Sequence, residues 1–155
     1  MTVFRANNTS DVIEAVEQMF IEASATDAAL EGVSVTVAEV VNEDPSSCPW
    51  IGLYPTNVSY PSRSLGAGTG QRYQRTAFVI IVQYSGGDSG KECRRGLETL
   101  VQGVISTLLN DQSLKGQCDT LEDMTTIYDN YQQVEDTFMQ EAIITITAVT
   151  TVSAF

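Results

Sequence analysis

The sequence contains no histidine. That removes the commonest general base and the commonest metal ligand. Neither a Ser–His–Asp nor a Cys–His arrangement can be assembled from this chain, although carboxylate pairs and lysine remain able to move protons. Cysteine is scarce as well. Cys48, Cys93 and Cys118 are an odd number at no metal-ligand spacing, so free thiols in a reducing compartment are expected. No apolar run reaches the ~18 residues that a membrane helix needs. Met1 to Ser10 holds one Arg and no apolar segment, so no signal peptide is expected either. Basic residues number 8 against 20 acidic ones, a formal net charge of −12. Such a balance disfavours tight nucleic-acid binding, which leaves a basic footprint.

What remains is enough for one folded domain. A chain of 155 residues with 43% apolar content can build a real core. Threonine, with 17 copies, is β-branched and suits half-exposed strands. Charge is unevenly spread. Residues 1–50 carry nine acids and one base, and residues 96–155 carry nine acids against Lys115. The middle, 51–95, reverses the sign, with Arg63, Arg72, Arg75, Lys91, Arg94 and Arg95 against Asp88 and Glu92.

Periodicity orders the elements. Ile13, Val16, Phe20 and Ala23, flanked by Val12 and Met19, form the apolar stripe of a first helix. Asp11, with Glu14 three residues on, is its expected cap. Val33, Val35 and Val37 alternate with polar residues as a strand with one buried face. Trp50 to Tyr54 reads as a short second strand closed by Pro55. Residues 61–71 are rich in Gly and Ser and are expected to form a long flexible hairpin loop. Arg72 to Tyr84 is the strongest strand signal. Phe78, Ile80 and Val82 alternate with Ala77, Val79 and Ile81, which suits a central strand packed on both faces. Ser89 and Glu92 form a capping box for a second helix, with Leu97, Leu100, Val101, Val104, Ile105 and Leu108 as its core stripe. Met124 to Tyr128 and Met139 to Val152 read as closing strands. The expected fold is α+β, with the order α-β-β-β-α-β-β. It has a mainly antiparallel sheet of four to five strands, two helices, and one domain over 1–155.

Several motifs imitate chemistry. Gly87-Asp88-Ser89-Gly90 echoes a serine-protease segment, but no histidine exists to activate Ser89. The same turn echoes a P-loop through Gly90-Lys91, yet Ser85 stands at the first required Gly and Glu92 at the metal-binding hydroxyl. Gly66, Gly68 and Gly70 precede a strand and not a helix, so they are no dinucleotide fingerprint. The adjacent pairs Glu43-Asp44, Glu122-Asp123 and Glu135-Asp136 are poorly placed for paired-carboxylate catalysis, because neighbours on a strand point to opposite faces. A non-enzymatic protein without a cofactor is the expectation.

The ordered set of elements has a family flavour. It runs from an acidic first helix through a Val-rich strand and a hairpin with a Gly/Ser tip to a long apolar strand, Thr76 to Tyr84. A capped helix, Ser89 to Asn110, and Thr-rich closing strands follow. The arrangement resembles the tail terminator proteins of long-tailed bacteriophages, the lambda-type fold. The resemblance implies a hexameric ring at the head-proximal end of the virion tail, assembled in the host cytoplasm. The ring would stop polymerisation of the tail tube protein and present the face that joins a head-completion or neck protein. DNA would pass through its hole without specific binding. The family offers no catalytic residues to carry over. Another phage neck or tail-tube protein, or a small cytoplasmic ligand-binding domain, is the alternative. Ring closure needs two unlike patches. The candidates are the basic set Arg63, Arg72, Arg75, Arg94 and Arg95 and the acidic set Glu39, Glu43 and Asp44, supported by Glu14 and Glu17.

Overall fold

The computed structural model describes residues 8–37, 40–60, 72–129, 132–134 and 137–152. The expected loop at 61–71, with Arg63, and the expected interface residue Glu39 lie outside the described residues.

Helix α1 spans Thr9–Ser24. Its cap is Asn8 and not Asp11. The Asn8 side chain accepts a hydrogen bond from the Ser10 amide at 3.0 Å, which leaves Asp11 in the first turn, where the helix dipole favours a carboxylate. The apolar stripe is buried as its spacing demands: Val12, Ile13, Val16, Met19 and Phe20 all face the core. Helix α2 spans Gly90–Asn110. Ser89 caps it by accepting from the Glu92 amide at 3.2 Å. The Glu92 carboxylate in turn accepts from the Asp88 amide at 2.7 Å, a capping box displaced by one residue.

The strands are β1 (Ser34–Val37), β2 (Trp50–Ser59), β3 (Arg72–Ser85), β4 (Thr120–Tyr128), β5 (Gln132–Val134) and β6 (Thr137–Val152). The sheet order is β1-β2-β3-β6-β4, with the short β5 also on β6. All pairings are antiparallel except β1 with β2. The fold is therefore α+β with a mixed sheet, in the order α-β-β-β-α-β-β plus the three-residue β5. β3 and β6 form the spine, paired residue for residue from Arg72↔Val152 to Ser85↔Met139.

Two sequence expectations are corrected in β2 and β3. Pro55 does not end β2. It sits opposite Phe78, and pairing resumes at Asn57 after an irregularity. Among the described residues β1 pairs with Trp50 to Leu53, so no described strand asks for the N–H that Pro55 lacks. The second correction concerns the faces of β3. α1 packs over β1 and β2, and α2 over β3 and β6, so both helices cover one face. Phe78, Ile80 and Val82 are buried there with Ile51, Leu53, Ile144 and Ile146. Ala77, Val79 and Ile81 point to the other face, where they stay half-buried. The central strand is apolar on both sides but covered by helices on one.

Candidate assembly surfaces

The uncovered face follows from the register. Row by row it carries Ile127–Ile143–Ile81 and then Thr125–Thr145–Val79 across β4, β6 and β3. None of these is charged. Ile127 is 60% exposed, and the Thr125 and Thr145 hydroxyls bond to each other at 2.6 Å.

One end of this face is covered by the chain's own β1–β2 connection. Parallel neighbours need a crossover, and here it passes over the face opposite the helices. Asn42 donates to the Gln83 side chain at 3.0 Å, and Gln83 donates back to the Asn42 carbonyl at 2.9 Å and to Glu141 at 3.2 Å. Trp50 is buried beneath it at 4% exposure, with its ring over Gly52, where an added Cβ would lie 2.4 Å from the indole.

The described bases of the middle segment are divided between two faces, Arg75 on the uncovered side and Arg94 on the helical side. Arg75 projects from the uncovered face and is engaged within the chain. Its guanidinium donates to Glu122 at 2.9 Å and to Asp123 at 3.0 Å. Adjacent carboxylates were expected on opposite faces. A register shift between Glu122 and Thr125, with Asp123 at φ 56°, brings both to one cation. Arg94 lies on the helical side. It donates to Glu98 at 3.0 Å and sits 3.8 Å over the Tyr128 ring. Arg95 is exposed one residue on. Arg72 begins β3 through its backbone, and its side chain lies outside the described part. Of the acidic set, Glu43 and Asp44 are exposed in the crossover. Asp44 caps the 3-10 turn Pro45–Ser47, and the hydrogen bond from the Ser46 amide holds its carboxyl below the usual range. Lys115, which composition alone leaves unassigned, is bound to Glu22 at 2.8 Å.

No family model and no curated protein matches the chain.

Among the described residues, no three His, Cys, Asp or Glu side chains gather as a metal site, and no helix is long and apolar enough to cross a membrane. The three thiols are free. Cys93 donates to the Tyr84 carbonyl at 3.6 Å and Cys118 to the Gln112 carbonyl at 3.2 Å. A cavity of about 340 Å³ opens beside α2, walled by Ala28, Ala29, Pro49, Tyr84 and Leu100, with Glu31 among its lining residues.

Sequence reasoning missed the uncovered face. Its signal was present in the apolar residues on both sides of β3, which were read as a strand covered twice. It also missed the Arg75 fork, for which a lone sequence gives no signal, since bulge position depends on the pairing partner.

Proposed function

We propose that the chain is a structural virion protein of the tail-terminator type. In this reading its copies close into a hexameric ring that caps the tail tube, stops its polymerisation and offers the surface for head joining. The observation that carries the reading is the one-sided sheet. Two uncharged rows, Ile127–Ile143–Ile81 and Thr125–Thr145–Val79, lie on the face that no described helix covers, with Ile127 largely exposed. Such an apolar stretch suits contact with further protein. In a chain of net charge −12, it is also a surface where further protein can approach without like-charge repulsion. The long β2–β3 hairpin and the element order support the same reading. The two helices, of 16 and 21 residues, favour it over a tube protein, since those are dominated by β structure. The proposed partners are further copies of the chain, the tail tube protein and a head-completion or neck protein. No cofactor takes part, and DNA passes through the ring without specific contacts. The proposed site is the head-proximal end of the tail, with assembly in the host cytoplasm.

The test is imaging of the purified protein by negative-stain electron microscopy, with deletion of its gene in the phage. Closed hexameric rings and tails of uncontrolled length are expected. A protein that stays monomeric at high concentration, together with normal tails from the deletion, would overturn the proposal.

A further inference from the structure

We propose that the amino-terminal face of α2 in one copy docks on the outer face of α1 in another, with Lys91 and Arg95 meeting Asp11 and Glu14. The inference rests on the ring reading and names the contact between its subunits.

It comes from asking which charges the fold leaves unspent. Among the described bases, Arg75 is forked by Glu122 and Asp123, Arg94 is held by Glu98 and stacked on Tyr128, and Lys115 is bound to Glu22. Lys91 and Arg95 remain. Both are exposed, and they stand one turn apart on the same side of α2. Of the acids nearby, Glu92 is turned back onto the Asp88 amide and Glu98 is held by Arg94, while Asp88 stands before the helix cap Ser89. On α1 the exposed positions Asp11, Glu14 and Gln18 follow one another at helical spacing, and neither Asp11 nor Glu14 has an ion-pair partner among the described residues.

The two stripes cannot satisfy each other within one chain. α1 and α2 lie side by side over different strands of the same sheet face, with their apolar stripes down and these charged stripes up. A second copy can bring one onto the other. Unlike patches on one molecule are what a head-to-tail contact requires. Their opposite charge would set its register and speed its formation, and would make it sensitive to salt.

The experiment uses the full chain. Association is followed by mass photometry and sedimentation velocity in low and high salt, with folding checked by circular dichroism. Three variants are compared with the parent: Lys91→Glu with Arg95→Glu, Asp11→Lys with Glu14→Lys, and all four changes together. Each double variant should associate at least about tenfold more weakly. The fourfold variant should recover, and so should an equal mixture of the two double variants, because opposite charges then face each other again. Recovery separates a lost contact from a damaged fold. Rings that survive both double variants would overturn this contact and leave the ring reading standing. Association that is disrupted and rescued as stated, but stops at dimers, would keep the contact and remove the ring. A parent chain that never associates would overturn this contact, and together with normal tails from the gene deletion it would overturn the ring as well.

Discussion

At the scale of single residues, the thiols illustrate how burial decides reactivity. Desolvation raises Cys48 and Cys118 to about 11 and raises Cys93 as well. At pH 8 a thiol with that value is ionised in only about one molecule in a thousand, and the thiolate is the reacting species. A thiol-reactive chromogen should therefore label the native protein slowly and all three cysteines at once in denaturant. Rapid labelling of Cys93 or Cys118 in the native state would contradict their burial. The sequence made the free thiols legible through their odd number and spacing. It could not make the Arg75 fork legible, because two carboxylates reach one guanidinium only after β4 has bulged against β6.

At the scale of elements, periodic signals carried well and interruptions did not. The stripes of α1 and α2 and the alternation in β3 predict their own burial, since each depends on a repeat contained in the element. Pro55 and the cap expected at Asp11 were misjudged because both roles depend on neighbours, the continued pairing of β2 with β3 in one case and the bond from the Ser10 amide to Asn8 in the other. The turn after α2 shows a similar dependence. Asp111 accepts from the Ser113 amide and hydroxyl and from the Lys115 amide, and it holds Leu114, Lys115 and Gly116 at positive φ. The Ser113 hydroxyl, first among these, lowers the Asp111 pKa from its ordinary 3.8. Glu22 is lowered from 4.5, chiefly by its hydrogen bond from Lys115. A depressed carboxylate stabilises the fold above its unfolded value, and that stability is lost as pH falls through the folded one. Urea midpoints should thus be level on this account down to about pH 5 and decline below about 4.5. Asp111→Ala should cost roughly 1 kcal/mol at neutral pH and flatten the acid decline. An unchanged acid slope would show that Asp111 contributes nothing to it.

At the scale of the whole molecule, the sheet has two unequal faces, and paired substitutions on neighbouring strands can measure the difference. Ile144 on β6 is fully buried beneath the helices, whereas Ile127 on β4 stands on the uncovered side. Ile144→Ala should cost about 2–5 kcal/mol in urea unfolding, and Ile127→Asp about 0.5 kcal/mol or less. Comparable losses would mean that the second face is packed. The sheet order has a further consequence in time. β6, the last described strand, is inserted between β3 and β4. Its contacts with β3 span from 54 residues, Ser85 to Met139, to 80 residues, Arg72 to Val152. During synthesis β3 must wait with one hydrogen-bonding edge vacant until almost all the described chain has been made. Contacts this distant in sequence close slowly, and a vacant apolar edge invites a stray strand. The interval between the emergence of β3 and that of β6 is when a nascent chain of this protein would be most in need of a chaperone.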